Sequence, residues 1–216
     1  MKFELPKLYP ITDRRLSGLT HAEQVRRLCE GGARLVQLRE KHLSPREFYA
    51  EVVEALKVAR RFGAKLMVND RVDVALATGV DGVHLGQDDM PPEAARALVG
   101  EGRIVGFSTH GVEQASAAAR LPVDYVAIGP VFDTSSKENP DPVVGLECLR
   151  RVRAAVGGSV KLIAIGGITV ESAPSVLEAG ADSVAVIGAL VNSSDPAEIT
   201  RRTRDFLARL SSTAQA

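Results

Sequence analysis

Two basic residues separated by one position follow an apolar run near the start of the chain. Arg39 and Lys41 come after ARLVQL, and their alternation lets both side chains point to the same side of an extended segment. A third cation, Lys137, follows a later run, and Asn69 and Ser108 add neutral donors after two others. Such a set would bind an anion with several charges, such as a diphosphate. Solvated surface charges are the alternative for each cation taken alone.

Two carboxylates end consecutive units of the same pattern. Asp70 follows AKLMVN, and Asp89 follows GVHLGQD. If those runs are neighbouring parallel strands, which lie about 4.8 Å apart, the carboxylates can share one cation. Mg²⁺ suits this arrangement, because it takes one or two carboxylates together with waters and substrate phosphates. Helix capping is the alternative role for each aspartate.

Glycines follow the last two apolar runs. Gly166 and Gly167 come after VKLIAI, and Gly188 comes directly after SVAVI. Backbone N–H groups at these two strand ends form the phosphate site of many barrels. The sequence therefore predicts a monophosphate site beside the diphosphate site, with two tight turns as the alternative.

The histidines suggest no nucleophilic triad. His84 lies inside a predicted strand and is interpreted as a hydrogen-bonded core residue. His110 either faces the site or begins a helix, and His21 and His42 are interpreted as surface residues. No Ser–His–Asp or Cys–His arrangement is convincing.

Eight short apolar runs alternate with helical segments and would position these residues. Each run is rich in Val, Ile or Leu and too continuous for a strand with one wet face, which is typical of strands buried on both faces of a parallel sheet. The runs are 8–12, 33–38, 64–68, 82–85, 103–107, 125–129, 160–165 and 183–187. Eight such units predict a closed α/β (β/α)₈ barrel with its site at the carboxyl ends of the strands. A doubly wound open sheet is the alternative, but neither GxGxxG after the first run nor GxxxxGK[ST] occurs.

Length and composition predict one domain. The chain has 216 residues, of which 45% are hydrophobic, and no break in composition divides it. We expect residues 1–210 to form the barrel and residues 211–216 to be a frayed tail. The irregular stretch 133–145 is long enough to predict a functional lid. Cys29 and Cys148, without a CxxC motif, are predicted to be reduced thiols in the core.

Charge and segment patterns exclude several classes of protein. The 27 Lys and Arg residues balance 27 Asp and Glu residues, which argues against a nucleic-acid binder. The start lacks the basic-then-apolar pattern of a signal segment, and no apolar run approaches the roughly 20 residues that span a bilayer. We expect a cytoplasmic protein with small-molecule substrates and no nucleic-acid or membrane partner, and a homo-oligomer stays open.

The motifs resemble those of the thiamine-phosphate synthase family, in the same order and over nearly the whole chain. They are YPITD, VQLREK, VNDRVDVAL, GVHLGQDDM, VGFSTH, DYVAIGPVFDTSSK, IAIGGI and GADSVAVI. The resemblance implies a transferase of thiamine biosynthesis with one Mg²⁺ per subunit. Its substrates would be the diphosphate of 4-amino-5-hydroxymethyl-2-methylpyrimidine and a thiazole phosphate. The products would be thiamine phosphate and diphosphate, with CO₂ when the thiazole carries a 2-carboxylate.

The resemblance also implies roles for individual residues. The pyrimidine diphosphate would contact Gln37, Leu38, Arg39, Glu40, Lys41, Asn69, Ser108 and Lys137. Those with a catalytic role would be Arg39, Lys41, Ser108 and Lys137. The thiazole phosphate would contact Thr134, Ser135, Ser136, Gly167, Ile187 and Gly188, and Mg²⁺ would be held by Asp70 and Asp89. Ser136 stands where the family often has Thr, and Gly188 where Ser is common, but a hydroxyl and a backbone amide are kept.

Two other functions remain open at this point. The thiazole tautomerase of the same superfamily is an isomerase that binds only the thiazole phosphate and uses a histidine, a role that His110 could take. A tautomerase has no use for a carboxylate pair or a diphosphate clamp. A non-catalytic phosphometabolite sensor would bind its ligand without turnover.

Overall fold

The chain forms a closed barrel of parallel strands. The computed structural model describes residues 4–134 and 141–212. The strands pair in sequence order, and the last pairs with the first. They are β1 (Leu8–Thr12), β2 (Leu35–Leu38), β3 (Lys65–Asn69), β4 (Gly82–Leu85), β5 (Ile104–Thr109), β6 (Tyr125–Ile128), β7 (Lys161–Ile165) and β8 (Ser183–Val186). The predicted (β/α)₈ barrel is confirmed, and the open doubly wound sheet is excluded.

Helices connect the strands and cover the outside of the barrel. They are α1 (Arg14–Ser17), α2 (His21–Glu30), α3 (Pro45–Arg61), α4 (Val72–Thr78), α5 (Pro92–Val99), α6 (Val112–Ala118), α7 (Gly145–Val156), α8 (Ala173–Glu178), α9 (Gly188–Val191) and α10 (Pro196–Ser212). Ser44 and Glu47 form a complete capping box at the start of α3. Among the described helices, none is long and apolar enough to cross a membrane.

The strands are buried on both faces. One set of side chains fills the barrel interior: Tyr9, Ile11, Leu35, Met67, Ile104, Tyr125, Ala127, Ile163 and Ala185. Alternate residues, such as Leu8, Val36 and Val68, pack between the strands and the helices. Because successive residues of a strand face opposite sides, both positions must be apolar, which explains the continuous apolar runs.

Aromatic rings fill the interior where glycine leaves room for them. A Cβ atom on Gly106 would lie 2.0 Å from Cζ of Tyr125, so this ring requires the glycine. Tyr125 stacks on the His84 imidazole with centroids 5.5 Å apart, and Tyr9 meets it edge-on at 6.0 Å. These rings close the barrel below the carboxyl ends of its strands.

His21 is not a surface residue, so that prediction is wrong. Its side chain is fully buried at the start of α2. Its Nδ1 lies 2.7 Å from the Thr12 hydroxyl, and its Nε2 lies 3.3 Å from the Glu40 carboxylate. A helix start placed over the end of β1 brings the ring inside. His42 is exposed, as predicted.

Three further predictions concern the two cysteines, the C-terminal tail and the lid. Cys29 and Cys148 are both free thiols, as predicted, but only Cys29 is buried in the core, and Cys148 is partly exposed. Helix α10 continues to Ser212, and residues 213–216 of the predicted tail lie outside the described residues. Residues 135–140 of the predicted lid also lie outside them.

Candidate active site

A cavity of about 980 Å³, here called the mouth, opens at the carboxyl ends of the strands. The predicted site residues that line it are Gln37, Arg39, Lys41, Asn69, Asp70, Asp89, Ser108, Thr134, Gly167, Ile187 and Gly188. Ser135, Ser136 and Lys137 lie outside the described residues. The barrel therefore brings residues from distant parts of the sequence around one cavity, at the rim where barrels carry their sites.

The side chains of Leu38 and Glu40 do not line the mouth, in contrast to the expectation from the resemblance. Leu38 is fully buried and packs between the strands and the helices. Glu40 turns into the loop that follows β2, where its Oε1 accepts hydrogen bonds from the backbone N–H groups of Lys41, His42 and Leu43. Both side chains therefore have structural roles, Leu38 in the packing of the core and Glu40 in the hydrogen bonding of the loop.

Glu40 holds the loop that carries the two cations. Hydrogen bonding to His21 lowers the pKa of Glu40 to about 2, and burial opposes this shift while the backbone amides of His42 and Leu43 add to it. A carboxylate that accepts several N–H bonds stays ionised and fixes the turn around it. Glu40 is therefore a positioning residue for Arg39 and Lys41, which lie on either side of it in the chain.

Each cation of that loop has an acidic partner. Arg39 Nη1 lies 3.0 Å from Oδ2 of Asp13, and Lys41 Nζ is paired with the carboxylate of Asp70. Asp13 also caps α1 by accepting from the N–H groups of Arg15 and Leu16. Both cations are thus held at the mouth by aspartates, and Lys41 is also exposed to solvent, as the alternative of a surface charge expected.

The two predicted metal ligands face each other. Burial raises the pKa of Asp89, and the neighbouring carboxyl of Asp70 raises it further, while the N–H group of Gly86 and the charge of Lys41 lower it. Asp89 Oδ2 accepts from Gly86 N at 2.7 Å. Neither aspartate is the N-cap of α4 or α5, where the cap positions are Arg71 and Pro91. The capping alternative is therefore wrong for both.

This pair fits a hard divalent cation. Two carboxylates in mutual repulsion, one of them partly buried, gain from a positive charge placed between them. Asp70 also has a φ angle of 64°, a conformation that non-glycine residues rarely adopt and that is frequent at functional sites. Within the described residues, no group of three or more His, Cys, Asp or Glu side chains could hold a metal. Mg²⁺ at this pair would complete its shell with waters and substrate oxygens.

Ser108 lies at the end of β5 with its hydroxyl beside His84. The Ser108 Oγ and His84 Nε2 atoms are 2.8 Å apart. Burial lowers the pKa of His84 to about 4, so the imidazole is neutral. The prediction of His84 as a hydrogen-bonded core residue is confirmed.

Backbone groups form the opposite side of the mouth. Gly166 and Gly167 have φ angles of 102° and 62°. A Cβ atom on Gly167 would lie 2.3 Å from the carbonyl oxygen of Asp133, so any side chain would displace the segment beneath it. Gly188 begins α9, directly after Ile187. The first N–H groups of a helix have no partner within it, which leaves them able to bind an anion.

His110 lines the mouth. Of the two alternatives predicted for it, facing the site or beginning a helix, the first is confirmed. Its Nδ1 lies 2.7 Å from the carbonyl oxygen of Gly129 and 3.6 Å from the Asp141 carboxylate. A carbonyl only accepts, so Nδ1 carries the proton of this bond.

Three features in or next to the mouth were missed by the sequence reasoning. Asp13 directly follows β1, so the rule applied to the other strand ends would have found it. Arg202 lines the mouth from α10, where it bonds the carbonyl of Asn192 and the carboxylate of Glu198. Its place in a helix far along the chain gave no signal. The hydrogen bonds of the interior tyrosines are the third feature.

The chain is similar to known proteins of one family. The family model described as thiamine monophosphate synthase matches residues 8–190. A thiamine-phosphate synthase of Koribacter versatilis is 50% identical over 195 residues, which cover 87% of this chain and 90% of that protein. The enzyme of the same name from Chloroflexus aurantiacus is 44% identical and covers 92% and 91%. A thiamine phosphate pyrophosphorylase structure from Pyrococcus furiosus has a TM-score of 0.85 at 37% identity and covers 96% of each chain. The chain therefore belongs to the thiamine monophosphate synthase family.

Proposed function

We propose that this protein is a thiamine-phosphate synthase. It joins the pyrimidinylmethyl group of 4-amino-2-methyl-5-(diphosphooxymethyl)pyrimidine to a thiazole phosphate. The products are thiamine phosphate and diphosphate, and CO₂ is also released when the thiazole carries a 2-carboxylate. Membership of the family supports this reaction, and the names of the relatives agree with it.

One observation supports the proposal most strongly. Charged side chains and glycine backbone face each other across one cavity, with Lys41, Asp70 and Asp89 on one side and Gly167 and Gly188 on the other. The first group suits a metal-bound diphosphate, and the second suits a monophosphate. An enzyme that joins a diphosphate substrate to a monophosphate substrate requires both.

The chemistry begins with loss of the leaving group. The bond between the pyrimidine methylene carbon and the diphosphate oxygen breaks, and its electron pair leaves with the diphosphate. The electron-rich aminopyrimidine stabilises the cation left on the methylene carbon. The lone pair of the thiazole nitrogen then forms the new carbon–nitrogen bond, which gives the thiazolium of thiamine phosphate. When the thiazole carries a 2-carboxylate, the bond from C2 to the carboxylate carbon then breaks, CO₂ leaves, the electron pair stays on C2, and C2 takes a proton from solvent.

The residues of the charged side stabilise the departing diphosphate. Arg39 and Lys41 place positive charge beside it, Ser108 donates a hydrogen bond, and Lys137 is proposed to add a third cation. Asp70 and Asp89 would hold Mg²⁺, which supplies further positive charge at the leaving group. In the order of events given above, none of these residues transfers a proton.

The glycine side holds the nucleophile. Thr134, Ser135 and Ser136 are proposed to supply further groups for the thiazole phosphate, beside the N–H groups of Gly167 and Gly188. Holding the thiazole nitrogen close to the methylene carbon converts a bimolecular capture into one within the complex. It also lets the thiazole capture the cation before water does.

Product analysis tests the proposal. The purified protein is incubated with both substrates, and thiamine phosphate and diphosphate are measured over time, with each substrate omitted in turn as a control. We expect the two products in equal amounts, and neither product without both substrates. Conversion of a thiazole phosphate into its isomer, with no thiamine phosphate from the complete mixture, would contradict the proposal and favour the tautomerase.

A further inference from the structure

A line of polar side chains crosses the otherwise apolar interior of the barrel. Gln37 Nε2 lies 3.0 Å from the Tyr9 hydroxyl, which lies 3.1 Å from the hydroxyl of Tyr125. The Tyr125 hydroxyl lies 2.9 Å from Nδ1 of His84, and His84 Nε2 lies 2.8 Å from the Ser108 hydroxyl. This line, here called the relay, begins at one mouth residue and ends at another.

The relay is largely shielded from solvent, although His84 lines the mouth beside Ser108. Tyr9 is 1% exposed, Tyr125 is fully buried, and His84 is 8% exposed. Buried polar groups need partners, so each hydroxyl and ring nitrogen of the relay is committed to its neighbours. The reaction steps described above give Tyr9, Tyr125 and His84 no role.

The directions of these hydrogen bonds follow from counting donors. A neutral imidazole has one N–H and one acceptor nitrogen. If His84 donated from Nδ1 to Tyr125, then Tyr125 would donate to Tyr9. With the Gln37 amide placed so that Nε2 faces Tyr9, the proton of Tyr9 would then meet an N–H₂ group, and no acceptor for it lies among the described neighbours of that hydroxyl. That direction leaves a buried donor unsatisfied, which is unfavourable.

The opposite direction satisfies every group. Gln37 donates to Tyr9, Tyr9 to Tyr125, and Tyr125 to Nδ1 of His84. The proton of His84 is then on Nε2 and is donated to the oxygen of Ser108. Because the Ser108 oxygen accepts from His84, its own proton is left to point into the mouth, which Ser108 lines.

We propose that His84 and Tyr125 are positioning residues that fix the Ser108 hydroxyl as a hydrogen-bond donor toward an acceptor atom of the pyrimidine diphosphate. The proposal rests on the proposed function. A serine hydroxyl can normally rotate and either donate or accept. The relay removes that choice before the substrate binds, so the donor is already oriented when negative charge develops.

The first test determines the tautomer of His84 and requires no turnover. Long-range ¹H–¹⁵N correlation spectra distinguish a protonated from an unprotonated ring nitrogen, and loss of signals in His84→Gln assigns them among the four histidines of the chain. We expect Nε2 to be protonated and Nδ1 unprotonated between pH 6 and 8. Protonation at Nδ1 would overturn the proposal, whatever reaction the protein catalyses.

The second test asks whether Tyr125 acts through Ser108. We expect Tyr125→Phe to lower kcat/KM for the pyrimidine diphosphate by about tenfold in the parent and by less than twofold in Ser108→Ala. The KM of Tyr125→Phe for the thiazole phosphate should stay within twofold of the parent value. Equal losses in the two backgrounds would show that Tyr125 acts through packing alone and would overturn the relay.

Control variants separate positioning from stability and from the proposed function. Thr203→Val removes a buried hydroxyl that bonds the Ile199 carbonyl and does not line the mouth, and it should leave kcat/KM within twofold. His84→Gln keeps an N–H donor for Ser108 and should retain more activity than His84→Leu. A parent that forms no thiamine phosphate contradicts the proposed function, while the tautomer measurement still decides on the relay.

Discussion

The two sides of the mouth bind with different parts of the chain. The side formed after β2 to β5 uses charged side chains, in which Lys41 pairs with Asp70 and Arg39 pairs with Asp13. The side formed after β7 and β8 uses backbone, and Gly167 there leaves no room for a side chain. Substitutions that keep the shape of a side chain but remove its charge should therefore impair binding on the first side. On the second side, binding should be impaired by substitutions that add a side chain to a glycine.

The difference between side-chain charges and backbone N–H groups also gives the two sides different effects on the reaction. A cation and its acidic partners can neutralise charge that grows during the reaction, which affects the rate of the chemical step. Fixed N–H groups hold a phosphate whose charge does not change, so they affect binding and placement. Substitutions on the two sides should accordingly alter different kinetic constants.

The largest effect is expected on the charged side, from Asp70→Asn and Asp89→Asn. Each substitution keeps the shape of the side chain and removes a proposed metal ligand, so kcat/KM should fall by at least about 100-fold. The dependence of the rate on Mg²⁺ concentration should weaken as well. Steady-state rates across a Mg²⁺ titration measure both effects.

Asp73→Asn is the control for these two variants. Asp73 is an exposed aspartate on α4 that pairs with Arg71 outside the mouth, and its loss should change activity by less than twofold. Full activity of Asp70→Asn at low Mg²⁺ would remove Asp70 from the metal site.

On the glycine side, Gly167→Ala tests the backbone directly. Its Cβ would lie 2.3 Å from the Asp133 carbonyl, so the loop must move, and a displacement near 1 Å can cost about 100-fold in activity. We expect KM for the thiazole phosphate to rise by about 10-fold to 100-fold, with KM for the pyrimidine diphosphate little changed.

Gly63→Ala is a matched control for that substitution. Gly63 has the same φ of 62°, but a Cβ there would meet nothing within 4 Å. Gly63→Ala should lower the free energy of unfolding by about 1 kcal/mol, because alanine is unfavourable at a positive φ, and should keep normal KM values. Equal kinetic effects of the two alanines would show that backbone strain, and not the site, explains the loss.

Glu40→Gln tests the loop that carries the cations. The pKa of Glu40 is lowered in the folded protein to about 2 from an ordinary 4.5, so its stabilisation is complete above pH 4.5 and is lost as pH falls toward 2. With allowance for solvent screening, we expect the variant to be less stable by about 1–2 kcal/mol at pH 7. Denaturant unfolding at several pH values should show the difference shrinking below pH 4.5. A difference that is constant with pH would rule out the charge of Glu40 as its cause.

The smallest effect is expected from His110→Ala. Thiamine phosphate formation requires no protein base in the proposed mechanism, so the rate should stay within about tenfold of the parent. In a tautomerase, loss of a catalytic imidazole would cost on the order of 100-fold to 10,000-fold. Single-turnover rates of the two proteins distinguish these results.

The strands and the side-chain half of the site could be predicted because their signals are local. Burial on both faces leaves a continuous apolar run, and the residue after each run lies at one rim of the barrel. Lys41, Asp70 and Asp89 were found in this way. Asp13 follows β1 by the same rule and was overlooked.

Other features depend on contacts that spacing does not encode. The side chain of Glu40 could face the mouth or its own loop, and only the loop conformation decides between them. The bond between Tyr9 and Tyr125 joins residues 116 positions apart, and each tyrosine alone reads as a core aromatic residue. The burial of His21 likewise follows from how α2 packs over the end of β1.

Magnesium-dependent formation of thiamine phosphate tests the central claim most directly. The purified protein, freed of metal with a chelator, is given both substrates, and product is measured before and after addition of Mg²⁺. We expect little product without the metal, and rapid formation of thiamine phosphate with an equal amount of diphosphate after its addition. Absence of thiamine phosphate at saturating Mg²⁺ with both substrates present would contradict it.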